Sequence, residues 1–213
     1  MMKLYSFFRS GTSHRLRIAL HLKGITTEYI PVDLRTEEHL GADFKAINPQ
    51  GLVPALVDGP MCLTQSPAII EWLEETYPEH SFLPKDRIHR AYVRALAAIV
   101  GCDIHPLNNR RVLEHLRHQL GQDELAINTW CQTWITDGFD AFEALLERYQ
   151  LHGQYCFGDA PGLADIYLVS QVESARRFKV DLGRWPLMMK IEANCMQLDA
   201  FILAAPSKQP DAA

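Results

Sequence analysis

A short polar segment near the start of the chain combines residue types that can stabilise an anion. Arg9, Ser10, Gly11, Thr12 and Ser13 lie between a predicted strand and a predicted helix. A helix N-terminus carries unpaired backbone N–H groups and a partial positive charge. A thiolate is stabilised there, and lowering a thiol pKa from about 8.5 to about 6.5 requires only about 2.7 kcal/mol. Taken alone the segment is typical of a helix cap, since serine serves as an N-cap, and it could also stabilise a bound thiolate.

Two other short motifs are suited to holding the polar groups of a ligand. Val53-Pro54 is an X-Pro bond, at which a cis peptide is energetically accessible. Ser66 and Pro67 precede an apolar helical pattern, which predicts Ser66 at the N-cap and Pro67 at the first helical position. The N–H groups of such a helix start favour a carboxylate. Ser66 could therefore face a carboxylate, although Ser-Pro is also common at ordinary helix starts.

Arginines accompany these motifs and recur on the predicted later helices, where they could bind a carboxylate through their planar fork. They are Arg9, Arg110, Arg111, Arg176 and Arg177. Adjacent arginines project about 100° apart on a helix, so one of each pair is expected to be structural. We favour Arg177 over Arg176 for a site. The choice between Arg110 and Arg111 stays open, with a preference for Arg110.

The elements that position these residues follow the order β-α-β-α-β-β-α in the first part of the chain. Apolar residues alternate in the strands and recur at helical spacing in the helices. The predicted strands cover residues 3–7, 28–32, 55–57 and 62–64, and the predicted helices cover 13–23, 37–46 and 66–77.

Only helical patterns follow. They cover residues 90–116, 124–147, a segment from 163 onward and 186–204, and the tail from Pro206 is expected to fray. We therefore predict an α/β domain over residues 1–84 and an all-helical domain over residues 85–213.

Composition limits the possible partners. The formal net charge is -5 and the sequence pI is about 6.0, which argues against nucleic acid or an anionic membrane as a partner. The five cysteines are scattered and form no Cys-x-x-Cys pair, which favours free thiols in a reducing compartment and gives no indication of a metal site. The N-terminus lacks the apolar region of a signal peptide, so we expect a cytoplasmic protein.

Several motifs together resemble the zeta class of glutathione transferases, in order and over nearly the whole chain. They are Tyr5 to Ser10, Arg15 to Leu20, Asn48-Pro49-Gln50, Val53 to Leu56, Gln65 to Glu71, Gln171-Val172 and Arg177 to Leu182. The segment from Arg94 to Pro106 is most similar to the bacterial maleylpyruvate isomerases of that class. The resemblance implies a thioredoxin-like N-terminal domain followed by an all-helical domain, with glutathione as cofactor.

The same resemblance implies roles for individual residues. Ser10 would donate to the glutathione sulfur, with Thr12 and Arg9 as further catalytic residues. The cis bond at Val53-Pro54 would pair the Val53 backbone with the cysteinyl part, and Gln65 with Ser66 would hold the γ-glutamyl carboxylate. Candidates for the glycyl carboxylate are His39, Gln50, His105 and Asn109. His105 and Asn109 are spaced i, i+4 and are expected on one helix face.

The function implied by the resemblance is cis–trans isomerisation of maleylpyruvate to fumarylpyruvate, in aromatic degradation of the gentisate type. The thiolate would add reversibly to the double bond of a small dicarboxylate held by Arg9, Arg110, Arg111 and Arg177. A homodimer is expected. The alternatives are a maleylacetoacetate isomerase, a conjugating or dehalogenating transferase that consumes glutathione, and a noncatalytic binding module.

This chain departs from the zeta pattern at three positions. Thr12 stands where the class usually has cysteine, and its hydroxyl is expected to donate to the thiolate. His14 replaces a tryptophan and is expected either to serve the site or to face solvent. Gly162 replaces a Ser or Thr that would form a capping box with Asp165, so Asp165 is expected to be structural and locally less stable.

Overall fold

The computed structural model describes residues 1–212, and its first unit is built on a mixed four-stranded sheet. The strands are β1 (Lys3–Ser6), β2 (Glu28–Pro31), β3 (Ala55–Asp58) and β4 (Met61–Thr64). Their order is β2-β1-β3-β4, with β1 parallel to β2 and antiparallel to β3, and with β3 antiparallel to β4. A crossover helix between β1 and β2 permits the parallel pair, while a tight turn suffices between β3 and β4. The predicted β-α-β-α-β-β-α order is confirmed.

Three α-helices complete this order: α1 (Gly11–Leu22), α2 (Ala42–Ile47) and α3 (Ser66–Thr76). The helix predicted over 37–46 is divided into a 3-10 turn at Glu38–Leu40 and α2, because the backbone of Gly41 is extended, with φ -67° and ψ 159°. The N-cap of α3 is Gln65, so the prediction of Ser66 at the N-cap is wrong by one position. Ser66 is the first residue of the helix.

An apolar cluster supports the loops that follow β1 and precede β3. It consists of buried Phe7, Val32, Phe44 and Val53, with Tyr5, Phe8, Leu34 and Ile47 packed against it. The cluster connects the end of β1 and α2 to the loop that contains Val53. Because buried side chains pack at high density, this cluster restricts the movement of both loops.

The second unit is all-helical among the described residues, as predicted. Its helices are α4 (Arg87–Ala98), α5 (Arg110–His118), α6 (Glu124–Tyr149), α7 (Leu163–Arg177) and α8 (Pro186–Cys195), with a π-helical segment at Ile99–Ile104. The helix predicted over 90–116 is not continuous. Pro106 has no N–H to continue the helical hydrogen bonds, and Asn109 is extended, with φ -65° and ψ 142°.

The two units divide the chain differently from the predicted domains. One contains Met1–Ser81 together with the segment from Gln197 onward, and the other contains Phe82–Met196. The helix predicted over 186–204 is divided because Leu198 is extended, and α9 (Asp199–Ala204) packs against α1 instead of extending α8. Its Phe201 and Ala204 are fully buried.

The described residues of the tail after α9 have defined structure, so the expectation of fraying is wrong. A 3-10 turn forms at Pro206–Lys208, and the Asp211 carboxylate accepts hydrogen bonds from the Phe8 N–H and the Tyr29 hydroxyl. No helix among the described residues has the length and apolarity needed to cross a membrane.

Asp165 lies buried at the start of α7. Its Oδ2 accepts from the Gly162 N–H and its Oδ1 from the Cys156 N–H, both at 2.8 Å. A Cβ on Gly162 would lie 2.7 Å from the Phe82 carbonyl oxygen, which excludes the Ser or Thr of the usual capping box. These contacts support the structural role predicted for Asp165 and explain why only half of the box is present.

Candidate functional site

Ser10 lies at the N-cap of α1 and begins a chain of hydrogen bonds. Its backbone is extended, and its Oγ accepts from the Ser13 N–H at 3.3 Å. The Ser10 and Thr12 hydroxyl oxygens are 2.9 Å apart, and Thr12 Oγ1 donates to the Val53 carbonyl at 2.9 Å. Because that carbonyl can only accept, Thr12 uses its single proton there. Ser10 must then donate to Thr12, so in this state its proton points along the chain of hydroxyls.

This arrangement gives Ser10 and Thr12 different capacities. The Ser10 hydroxyl can rotate toward a thiolate, because its present acceptor is a neutral oxygen and a charged acceptor forms the stronger hydrogen bond. Thr12 cannot donate to a thiolate without releasing the Val53 carbonyl. The geometry therefore favours Ser10 as the donor and Thr12 as the residue that fixes Ser10 relative to Val53. The predicted catalytic role of Thr12 stays a prediction.

The loop before β3 brings Val53 to this position. The Val53-Pro54 peptide bond is cis, as predicted. The buried Asn48 side chain fixes the start of the loop by donating to the Leu52 carbonyl at 2.6 Å and accepting from the Gln50 N–H at 3.1 Å. Sequence reasoning did not assign Asn48 a role. Its signal is that Asn readily hydrogen-bonds the backbone two residues on, which is typical of a turn.

His39 and Gln50 are brought near each other because Gly51, which follows Gln50, lies against the His39 backbone. A Cβ on Gly51 would lie 2.8 Å from the His39 carbonyl oxygen, and Gly51 has φ +62°, so glycine is required there. His39 is buried, whereas Gln50 is exposed and accepts a hydrogen bond from the Gln65 amide. The structure thus brings Gln50 and Gln65 together, and His39 adjoins them through Gly51.

Ser66 is the most distinctive polar residue of this region. It is 1% exposed, and its Oγ has no hydrogen-bond partner among residues 1–212. Buried polar atoms are rarely left unsatisfied in proteins. Gln65 before it has φ 68°, an uncommon conformation for a residue other than glycine. A carboxylate accepting from the Ser66 hydroxyl and the first N–H groups of α3 would satisfy this atom.

His14, expected to serve the site or to face solvent, is instead buried in α1 and 3% exposed. Neither ring nitrogen has a hydrogen-bond partner within residues 1–212. Burial, together with the charges of Arg17 and Arg15, lowers the pKa of His14 from 6.5 to about 3. The imidazole is therefore neutral in the folded protein at neutral pH.

Acidification is expected to destabilise the protein through His14. The unfolded chain binds a proton at this residue below pH 6.5, whereas the folded protein does so only near pH 3. The contribution of neutral His14 to the free energy of unfolding should therefore be complete above pH 6.5. Below that pH the free energy of unfolding should fall by up to about 1.4 kcal/mol per pH unit. Urea unfolding at a series of pH values measures this slope. His14→Phe should reduce the slope by this amount, while the exposed-residue control His115→Phe should not. Parallel pH profiles for wild type and His14→Phe would contradict the prediction.

His105 and Asn109 do not lie on one continuous helix, so that expectation is wrong. His105 ends the π-helical segment, and Asn109 is the N-cap of α5, where its side chain accepts from the Arg111 N–H at 3.1 Å. The cap occupies the side-chain oxygen of Asn109 and leaves its side-chain NH2 group available. Asn109 therefore has a structural function, and a glutathione contact by either residue stays a prediction.

The arginines differ in their surroundings. Arg9 is exposed, and its guanidinium lies 5.8 Å from the centroid of the Phe8 ring. Arg176 pairs with the buried Glu192 at 2.8 Å, which supports a structural function for the first arginine of this pair. Exposed Arg177 lies over the Phe178 ring at 4.8 Å. Arg110 is half-buried and its Nε is 3.8 Å from Glu114, whereas Arg111 is exposed.

Comparisons with known proteins place this geometry in context. The family model described as the glutathione S-transferase N-terminal domain matches residues 9–76. A maleylpyruvate isomerase of Ralstonia sp. is 65% identical over 212 residues, covering 100% of both chains. A holo structure of a maleylpyruvate isomerase, described as a bacterial zeta-class glutathione S-transferase, is 64% identical with a TM-score of 0.97 and covers 99% of this chain and 100% of its own. A maleylacetoacetate isomerase of Methylobacterium extorquens AM1, with bound malonate and glutathione, is 38% identical with a TM-score of 0.96 and covers 99% of each chain.

Proposed function

The chain belongs to the zeta class of glutathione transferases, and on that premise we propose that it isomerises maleylpyruvate to fumarylpyruvate with glutathione as cofactor. The observation that carries the proposal is the 65% identity to a maleylpyruvate isomerase over the full length of both chains. A maleylacetoacetate isomerase of Pseudomonas aeruginosa is 47% identical over 213 residues. The difference favours maleylpyruvate over the longer substrate.

The described residues of the first unit fit glutathione. The hydroxyl of Ser66 at the start of α3, which has no hydrogen-bond partner among the described residues, suits the γ-glutamyl carboxylate. Val53 beside the cis bond offers its backbone for the cysteinyl part, and Ser10 at the start of α1 offers a hydroxyl for the sulfur. Gln50 and Gln65 are the polar side chains adjoining these groups.

Each residue of the Ser10 region has a task in this reaction. Bound glutathione supplies a thiolate that adds reversibly to the substrate double bond and is regenerated after rotation. Ser10 would lower the pKa of that thiol by donating its proton to the sulfur, assisted by the N–H groups of α1. Thr12 would hold the Ser10 oxygen at a fixed distance from Val53. The arginines would bind the substrate carboxylates and stabilise the negative charge that develops during the reaction.

Arg177 is the arginine we assign to a substrate carboxylate, together with Arg9 and one of Arg110 and Arg111. Arg177→Ala is expected to raise the KM for maleylpyruvate roughly 10- to 100-fold, as for loss of a charged hydrogen bond, with the KM for glutathione unchanged. Steady-state kinetics with each substrate varied in turn measures both constants.

The matched control is Arg176→Ala, which leaves buried Glu192 without its ion-pair partner. This variant is expected to melt at a lower temperature and to keep the KM for maleylpyruvate. Equal KM values in the Arg177→Ala variant and the wild type would remove Arg177 from the substrate site.

The test of the proposed function follows maleylpyruvate by ultraviolet absorbance and free thiol by titration in one reaction. Conversion at constant thiol is expected. Loss of thiol would instead indicate a conjugating or dehalogenating transferase, and binding of glutathione without conversion would indicate a binding module. A higher kcat/KM for maleylacetoacetate than for maleylpyruvate would favour the alternative isomerase.

The proposal extends to the setting of the enzyme. We propose a homodimer in the cytoplasm that acts in aromatic degradation of the gentisate type. The free state of all five cysteines is compatible with a reducing compartment. Light scattering after size-exclusion chromatography tests the dimer, and a monomeric mass would contradict it.

A further inference from the structure

We propose that Asp211, in the C-terminal tail, is a positioning residue for the thiol site because its carboxylate holds the backbone turn that carries Arg9 and Ser10. The inference rests on the proposed function, since its readout is the glutathione thiol beside Ser10. Asp211 acts on this thiol only through the turn and is not a catalytic residue.

The turn in question consists of residues 7–10 and is closed by a hydrogen bond from the Ser10 N–H to the Phe7 carbonyl at 3.0 Å. Asp211 Oδ2 accepts from the Phe8 N–H within this turn at 3.0 Å. Its Oδ1 accepts from the Tyr29 hydroxyl at 2.7 Å. Both carboxylate oxygens are therefore used, and one of them fixes the residue at the second position of the turn.

Arg17 holds the same turn from α1. Its guanidinium donates to the Phe8 carbonyl at 2.9 Å, to the Phe7 carbonyl at 3.4 Å and to the Ala204 carbonyl at 2.9 Å. Both backbone polar groups of Phe8 are thus bound, the N–H by Asp211 and the carbonyl by Arg17. The chain of contacts connects the end of α9 and the tail to the turn.

The buried positive charge of Arg17 makes this arrangement depend on Asp211. Arg17 is 2% exposed, and burial lowers its pKa from 12.5 to about 10, while Tyr29 and Asp211 act in the opposite direction. A buried cation without a counter-charge is strongly destabilising. Asp211 supplies negative charge near Arg17. Removing its carboxylate would therefore leave the Phe8 N–H without this acceptor and would also remove a charge that stabilises the Arg17 cation.

The turn determines where the Ser10 hydroxyl lies. Ser10 is the last residue of the turn, and its Oγ must reach both the Thr12 hydroxyl and the thiol. A hydrogen bond to a charged acceptor weakens steeply with distance and misalignment. A loosened turn would therefore stabilise the thiolate less, while the Ser66 end of the site, on α3, would keep its geometry.

The experiment measures the pKa of the bound glutathione thiol by ultraviolet absorbance of the thiolate, together with kcat and the two KM values. In Asp211→Ala the thiol pKa is expected to rise by roughly half a unit to one unit, which lowers the thiolate fraction and kcat about three- to tenfold below that pKa. The KM for glutathione should stay within about twofold. The control is Asp199→Ala, an exposed acidic residue of α9, for which no change is expected.

A second variant keeps the test decisive if Asp211→Ala does not fold. Asp211→Asn keeps the shape but replaces one carboxylate oxygen by an NH2 group. Since the Phe8 N–H and the Tyr29 hydroxyl donate to different oxygens of Asp211, they cannot both keep their present acceptors. A smaller shift in the same direction is expected. An unchanged thiol pKa in whichever variant folds, or an equal shift in Asp199→Ala, would overturn the role of Asp211 and leave the proposed function intact. A wild-type protein that binds no glutathione would overturn the proposed function and this inference with it.

Discussion

Replacing Ser10 by alanine is expected to lower kcat for isomerisation about 100-fold, the usual cost of removing one donor that stabilises a catalytic anion. The Ser10 hydroxyl is the donor at the start of α1 whose proton can turn from Thr12 to a thiolate. The pKa of the bound thiol should rise at the same time. Stopped-flow kinetics and thiolate absorbance measure the two effects on one preparation.

Loss of the helix cap must be separated from loss of the donor. Ser10→Ala also removes the acceptor for the Ser13 N–H, which costs about 1 kcal/mol of stability, whereas glycine at an N-cap costs only a few tenths. Ser10→Gly should therefore be nearly as stable as the wild type and as inactive as Ser10→Ala. The control Ser13→Ala removes a buried hydroxyl that has no hydrogen-bond partner within residues 1–212, and it should retain activity. Full activity in Ser10→Gly would refute the role of the hydroxyl.

Ser66→Ala is expected to raise the KM for glutathione roughly 10- to 100-fold, as for loss of a hydrogen bond to a charged group. At saturating glutathione, kcat should change little, because this residue is assigned to the γ-glutamyl carboxylate and not to the thiol. Since the buried Ser66 oxygen has no hydrogen-bond partner in the part of the chain that the structure describes, its removal should leave the free energy of unfolding unchanged or higher. Isothermal titration calorimetry and urea unfolding measure the two quantities.

The Ser66 prediction is specific because glutathione affinity should fall while the free energy of unfolding should not. A purely structural serine would lower stability on removal and leave glutathione affinity intact. Thr76→Ala, an exposed substitution at the other end of α3, is the matched control and should change neither quantity. Unchanged glutathione affinity in Ser66→Ala would exclude this residue from the cofactor site.

Local features of the site could be predicted from the sequence because they depend on neighbouring residues. Ser10 before an amphipathic helix indicates an N-cap, and an X-Pro bond indicates where a cis peptide can occur. The cap of α3 was predicted one residue late because helix ends are uncertain by a residue or two in sequence patterns. The helix interruption at Asn109 was missed, although Pro106 and a following Asn are signals for a helix break and a new N-cap.

Features that depend on distant parts of the chain could not be predicted. The hydrogen bond between Asp211 and the Phe8 N–H joins residues 203 positions apart, and no local pattern indicates it. The burial of His14 likewise depends on what packs around α1, since a histidine in an amphipathic helix fits either face. The absence of a side chain at Gly162 is explained only by the Phe82 carbonyl beside it.

The division of the first unit into two sequence segments has a consequence for biosynthesis. The helix α9, with fully buried Phe201 and Ala204, leaves the ribosome only after all of Phe82–Met196 has been made. Until then α1 lacks the neighbour that covers it, and Arg17 lacks its Ala204 and Asp211 partners. The sheet-containing unit can therefore complete its core only after the whole of the helical unit has been synthesised. Vectorial synthesis would thus assemble the thiol site only after the helical unit has been made, although Ser10 precedes that unit in the sequence.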